Sequence, residues 1–204
     1  MKDFRRRGPR TASVILDTAE AQFARHGYTG TSLRLIAAAA GLREPGIYNH
    51  FDSKEALYTA VLQRALDPIG KMLAEHLARA STLPDFIELP AQLADHLARH
   101  PQVAALLQRA LLEEAGQPGN ALLHRWLAAL FDTGLERLAT FSDDMEVRRE
   151  TLAINLIALF NIITGYFTAR QAFLTLGAGD PQGEANLQRQ KQLLHRVIRA
   201  MMVN

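Results

Sequence analysis

Apolar residues recur along the chain at intervals of three and four, and no stretch sustains a two-residue alternation, so the pattern predicts an all-α protein. A first helix is expected from about Thr11 to His26, with Val14, Ile15, Ala19, Ala21 and Phe23 turned inward and Gly27 as its stop. Thr31 or Ser32 can cap a short helix running to about Ala39. Gly41 ends it, and Pro45 falls in the first turn of a third helix that reaches about His50, where a missing N–H costs nothing. Asp52 or Ser53 then caps a long helix from Lys54, with Ala56, Leu57, Ala60, Val61 and Ala65 along one side, and Pro68 is expected to kink or end it. Further helices are expected at about 69–80, 85–99, 101–115, 120–140, 144–176 and 185–203. Pro84, Pro101, Gly116-Gln-Pro-Gly, Ser142-Asp-Asp and Gly177-Ala-Gly-Asp-Pro separate them, and 177–184 is expected to be the least ordered internal segment.

Residues 32–50 form a distinct unit within this pattern. A helix, a glycine turn and a second helix offer Leu33, Ile36, Ala37, Leu42, Ile47 and Phe51 for inward packing. Ala37 is small where the helices must approach, and Gly41 supplies the positive φ of a tight turn. This is the arrangement of a helix-turn-helix. The chain therefore divides into a helix-turn-helix domain with a basic N-terminal arm (1–53) and a helical body (54–204).

Charge sharpens the division. The formal net charge of +2 hides a basic N-terminal quarter: residues 1–51 carry eight basic and four acidic side chains, a net of +4, and the other 153 residues net −2. A polyanion partner for that quarter alone follows. An apolar content of 48 % is that of a chain burying a real core, and the lack of cysteine excludes disulfides, zinc fingers, thiolate clusters and a cysteine nucleophile. Basic residues at the start meet Asp17 after a six-residue run, Thr11 to Leu16, too short for a signal peptide, so a cytoplasmic protein is expected. No charge occurs from Thr151 to Ala169, but Asn155, Asn161, Thr164, Gly165 and Thr168 make these 19 residues a poor membrane span, and a helix buried in protein is the expectation.

The residues from Phe23 to Tyr58 also carry a resemblance. Gly27-Tyr-x-Gly-Thr-Ser-x-x-x-Ile-Ala-x-x-Ala-Gly-Leu42, followed by Gly46-Ile-Tyr-Asn-His-Phe-Asp-Ser-Lys-Glu-Ala-Leu-Tyr58, is similar to the tetracycline-repressor (TetR) family of transcriptional regulators over roughly residues 10–60. Tyr48-x-His50-Phe51-x-Ser53-Lys54-x-x-Leu57 is its most telling block. The chain departs from many relatives at Arg43-Glu44-Pro45, where Ser or Thr commonly precedes the third helix. The resemblance implies a homodimer built from the last two helices (about 144–176 and 185–203), a ligand cavity among the middle helices, and release from a double-stranded DNA operator when a small molecule binds. It also implies phosphate contacts for Tyr48, His50 and Lys54.

Side-chain chemistry gives a reading beside the resemblance. Arg43 can reach guanine N7 and O6, a phosphate, or Glu44; Glu44 can accept from cytosine or neutralise Arg43; Pro45 and Gly46 admit close backbone approach and a thymine methyl. Ile47 and Phe51 fill the inward face, so Tyr48 points outward, and Asn49 can pair with adenine or a phosphate. Thr31, Ser32 and Arg34 stand at a helix start that favours phosphate, and Arg5, Arg6 and Arg7 either track the DNA or form a solvated arm.

For the body, 144–176 is apolar on two sides (Leu152, Leu156, Leu159, Ile163, Phe167 and Ile154, Ile157, Ala158, Asn161, Gly165), which calls for two packing partners. The last helix adds Leu187, Leu194, Val197, Ile198 and Met201, more than a lone terminal helix needs. Phe86, Leu107, Trp126, Phe131 and Phe160, with Gln108, His124 and Asn155 as polar anchors, are candidate contacts for an apolar or amphipathic effector. A ligand-independent or protein-controlled regulator is the alternative. His96 and His100 have metal-ligand spacing but no third ligand, and no phosphate-binding glycine loop or nucleophile elbow occurs, so no enzyme activity, metal or cofactor is expected.

Overall fold

The computed structural model describes residues 7–80, 82–139 and 149–202. Among them lie ten helices and no strand: α1 Arg7–His26, α2 Leu33–Ala39, α3 Glu44–Tyr48, α4 Lys54–Arg79, α5 Leu83–Arg99, α6 Pro101–Leu112, α7 Pro118–Leu138, α8 Arg149–Thr168, α9 Arg170–Thr175 and α10 Glu184–Met202. Helices α1 to α3 pack on one another and on the first half of α4. The rest of α4 and α5 to α8 form the body, with α10 laid along α5. One apolar core runs through both parts, from Ile15, Phe23, Ile36 and Ile47 through Tyr58, Leu62 and Ile69 to Leu107, Phe160 and Leu194.

Several boundaries differ from the sequence expectation. Helix α1 starts four residues early, because Pro9 sits in the first turn where no intrahelical N–H is needed. Val14, expected inside, is 42 % exposed. Helix α4 does not end at Pro68 and absorbs the helix expected at 69–80. Leu66, Ile69, Leu73 and Leu77 are all buried on either side of that proline. Burying each contributes about 1.5–3 kcal/mol, against about 3 kcal/mol for proline in a helix interior, so packing wins. Conversely, the expected 144–176 helix is cut between α8 and α9. The Thr168 hydroxyl donates to the Gly165 carbonyl at 3.0 Å, which Ala169 N–H would take in a continuing helix, and Ala169 turns to Tyr166 O at 3.3 Å instead. The start expected near Asp144 lies outside the described residues. The 177–184 loop is tied down: Tyr166 Oη donates to Pro181 O at 2.8 Å, and Asn186 Nδ2 donates to Ala178 O and Asp180 O.

Candidate nucleic-acid interface and core cavity

The helix-turn-helix is built by caps and a small set of buried apolar residues. Ser32 Oγ accepts from Leu35 N at 3.1 Å, and Ser53 Oγ from Ala56 N at 3.0 Å, so of the paired alternatives these serines are the caps. Gly41, at φ 68°, makes the turn that lets Leu42 N–H reach back to Ala37 O at 2.8 Å. Ile36, Ala37 and Ile47 are buried beneath it. Helix α3 is shorter than expected, ending at Tyr48 with Asn49 as its C-cap, although His50 and Phe51 still donate to Ile47 O. Arg43 is its N-cap by position but makes no capping bond with its side chain.

The outward face of α3 carries the polar residues the sequence singled out. Tyr48 is 51 % exposed, and Arg34, Arg43, Pro45 and Asn49 are exposed around it, with Glu44, Gly46 and His50 half-buried. Among the described residues Arg43 and Glu44 do not pair. Among the described residues Arg34 at the start of α2, and Arg43, Tyr48 and Asn49 along α3 and its caps, make no side-chain hydrogen bond. Lys54 stands beside them with its Nζ 4.2 Å above the Tyr28 ring centroid. Partial burial lowers its pKa.

One expectation is corrected here. Thr31 does not face outward: it is 2 % exposed and its hydroxyl lies 2.8 Å from Gly27 O and 3.2 Å from Gln22 O. It closes the turn after α1 and has no donor left for phosphate. Arg5 and Arg6 lie outside the described residues.

Behind this face, aromatic residues and the end of α1 meet Glu113 and Arg109, to which the sequence did not point. Tyr28 stacks on Tyr58 at 5.0 Å, and Tyr58 meets Phe23 at 4.6 Å with the two rings tilted by 52°. The buried Tyr58 hydroxyl donates to Glu113 Oε1 at 2.5 Å, while Glu113 Oε2 accepts from Gly119 N at 3.0 Å and Asn120 N at 3.3 Å in the first turn of α7. Burial first, and then the Glu113 carboxylate, push the Tyr58 hydroxyl far above the ordinary tyrosine range. Gly119 is needed for this approach, since a Cβ there would lie 2.6 Å from Glu113 Oε2 and 2.8 Å from the Tyr58 ring. A second tie comes from α6. Arg109 donates through Nε to Ala24 O at 2.7 Å and through Nη2 to Arg25 O at 2.6 Å, covering the last carbonyls of α1.

The body encloses a cavity of about 190 Å³ walled by α4 to α8 and α10. Phe86, Leu107, Trp126, Phe131, Asn155 and Phe160 all line it, as expected. His124 and Gln108 do not. His124 lies on the exposed side of α7, and Gln108 stands behind the wall, where its Nε2 donates to Thr164 Oγ1 at 2.5 Å. Thr164 is fully buried and lines the cavity, but its own hydroxyl donates to Phe160 O at 2.6 Å. Helix α8 presents Leu152, Leu156, Leu159 and Ile163 to this space. Its other side leaves Ile154 69 % and Ile157 42 % exposed, so the helix is apolar on two sides, only one of which is covered. By length and composition α8 is also apolar enough to cross a membrane, with a mean hydropathy of 1.5. On α10, Leu187, Leu194 and Ile198 are buried against the chain's own core, Val197 and Met201 are half-buried, and Leu193 is exposed.

A trihelical helix-turn-helix with exposed polar side chains on its third helix is thus joined to an all-helical body that holds an apolar cavity. Over residues 15–61 the chain matches the sequence profile of bacterial regulatory proteins of the tetR family. It is 34 % identical over 109 residues to the transcriptional regulator RutR of Escherichia coli, covering 52 % of this chain and 49 % of that protein. It is 36 % identical over 94 residues to the transcriptional repressor KstR2 of Rhodococcus jostii, covering 44 % and 45 %. The chain thus matches about half the length of these curated relatives. Likeness of fold extends further. A TetR-family regulator from Bordetella parapertussis superposes with a TM-score of 0.71 at 20 % identity over 94 % of this chain and 93 % of that one. The fatty acid degradation regulator FadR from Bacillus halodurans does so with a TM-score of 0.65 at 20 % identity, over 96 % and 97 %.

Proposed function

We propose that this protein is a cytoplasmic, sequence-specific DNA-binding transcriptional regulator, a repressor that leaves a pseudo-palindromic operator when a small apolar or amphipathic molecule enters the body. The observation that carries the DNA reading is the α3 face, where Arg43, Tyr48 and Asn49 are exposed within seven residues of one another and without side-chain partners among the described residues. Arg43, Glu44, Pro45, Gly46 and Asn49 read base edges, while Ser32, Arg34, Tyr48, His50 and Lys54 hold the backbone. The cavity favours an effector over a ligand-independent or protein-controlled regulator, for which a filled core is expected.

A second copy of the chain covers the free side of α8 in this reading. Asn161 and Thr168 lie on that side with Ile154 and Ile157, a mixture that suits a protein interface better than lipid. A two-fold pairing sets the recognition helices about 34–36 Å apart, one turn of DNA. Selection of genomic fragments bound by the purified protein, followed by anisotropy titrations, tests the proposal. Tyr48→Phe and Lys54→Ala should weaken binding nearly equally on every selected site, and Arg43→Ala should relax preference at one base pair if it reads guanine. Unchanged affinity in both backbone variants overturns the docking mode, and failure to enrich any sequence overturns the function.

A further inference from the structure

Among the described residues, the walls of the cavity contain no charged side chain. Their polar groups are few, and most are already engaged or merely weak: the Thr164 hydroxyl is committed to Phe160 O and Gln108, and the Met201 thioether is a poor acceptor. The Trp126 indole N–H is a donor only and lies against α4, where a Cβ on Gly70 would be 3.2 Å from it. Asn155 differs. It lines the cavity from α8, and its side-chain amide has no hydrogen-bond partner among the described residues. An amide offers one acceptor and two donors, so it can serve a hydroxyl, a carbonyl or an ether, and it carries no charge to balance an ion.

We infer that the cavity selects an uncharged, compact, largely apolar molecule bearing a single hydroxyl, carbonyl or ether group, held at that group by Asn155, and that it rejects carboxylates and ammonium ions of the same shape. The inference rests on the reading of the body as an effector-binding domain. Size follows from the volume: cavities of about 150 Å³ walled by Leu, Ile and Phe stay dry and admit a benzene ring. A space of about 190 Å³ takes a one- or two-ring skeleton or its open-chain equivalent. Charge follows from the walls. An ion brought in here loses its water and finds, among the described lining residues, neither a counter-ion nor more than one amide, whereas a neutral polar group loses little and regains a hydrogen bond.

Binding can be read where it happens, because Trp126 is the only tryptophan of the chain and lines the cavity. The full-length protein, without DNA, is titrated with 1-adamantanol, 1-adamantanecarboxylate and 1-adamantylammonium, and with the open-chain pair 1-nonanol and nonanoate, following Trp126 emission and confirming by calorimetry. At least one of the two neutral compounds should bind, with its charged counterparts weaker by about 30-fold or more. Asn155→Leu should weaken the neutral alcohol about tenfold, the loss of about one hydrogen bond. Asn155→Asp should shift preference towards the ammonium compound, which separates a local contact from loss of folding. Equal binding of carboxylate and alcohol, indifference of the alcohol to both Asn155 variants, or no binding by either neutral compound overturns the inference. Release of operator DNA is measured separately. Selective binding without release leaves the inference standing and removes the regulatory reading instead.

Discussion

Tyr58→Phe takes away one oxygen atom and leaves every apolar contact of the ring in place, which makes it a clean probe of how the DNA-binding part is fastened to the body. The ring is fully buried against Phe23 and Tyr28, and its hydroxyl donates to Glu113 at 2.5 Å. A hydrogen bond to a charged acceptor contributes about 1.5–3 kcal/mol, and removing the donor strands Glu113 Oε1 beside an apolar ring. Oε2 keeps its bonds to Gly119 and Asn120, so the loss is held to about 2 kcal/mol. For a chain of this length that lowers the melting temperature by about 4–8 °C. Glu113→Gln should cost less, because an amide can still accept from one partner while the tyrosine hydroxyl turns to accept from its nitrogen. Scanning calorimetry on the two single variants and the double variant closes the cycle. The double variant should be less destabilised than the two single effects added together, since both remove the same bond. A melting temperature within about 1 °C of the parent for Tyr58→Phe, or strict additivity in the double variant, refutes the reasoning.

Three further outcomes follow from the same contacts. Arg109→Met preserves the aliphatic stem but uncovers Ala24 O and Arg25 O, so it should lower stability by about 1–3 kcal/mol, read by urea titration, and raise amide exchange at the end of α1 before it does so elsewhere. Gly119→Ala forces a methyl group into Glu113 Oε2 and the Tyr58 ring and should lower the melting temperature at least as much as Tyr58→Phe; an unchanged value means that the two helices can separate without cost. His96 is half-buried, and burial, with His100 and Arg99 nearby, holds its pKa below the ordinary 6.5. The unfolded chain therefore binds the proton first as pH falls, and stability, fully present above pH 6.5, declines as pH drops from there toward the folded pKa. His96→Gln should flatten that part of the stability profile, and a profile unchanged by the substitution removes His96 as its cause.

How much of this was legible in the sequence depended on the range of the interaction. Caps and turns are local, and Ser32, Gly41, Ser53 and Gly27 declare themselves within four residues of the bonds they make. The outward Tyr48 is legible for the same reason, since Ile47 and Phe51 take the inward face. Pro68 shows where a local rule fails: proline argues for a break, and only the burial of Ile69, Leu73 and Leu77 against distant helices overrides it. Thr31 fails in a related way, because a threonine ahead of a helix reads as a capping or phosphate residue until the carbonyls of Gln22 and Gly27 are seen to claim its hydroxyl. Arg109 and Glu113 meet partners 85 and 55 residues away, and no periodicity encodes such a meeting. Phe86, Leu107, Trp126, Phe131 and Phe160 were legible as cavity wall because apolar residues of middle helices must face the centre of a bundle; of the three polar candidates only Asn155 lines it, and His124 and Gln108 do not, because polarity alone does not say which side of a helix a residue takes.

In the proposed function, the contacts of α6 join the cavity to the helices that present α3. Three consecutive residues have three different duties: Leu107 forms cavity wall, Gln108 holds Thr164 of α8, and Arg109 grips the last carbonyls of α1. They share one rigid helix, so a ligand that displaces Leu107 carries Arg109 with it. What Arg109 holds is the turn that sets the helix-turn-helix, for Gly27 packs against its guanidinium, Thr31 is fastened to Gly27, and the next residue is the cap of α2. The Tyr58–Glu113 tie opposes independent movement, binding the start of α7, whose Trp126 and Phe131 face the same cavity, to the ring beneath Tyr28 and Lys54. Both routes end beside residues assigned to phosphate. In a two-fold dimer a small rotation of each reading head changes the separation of the two α3 helices, and both half-sites are lost together even if neither head unfolds.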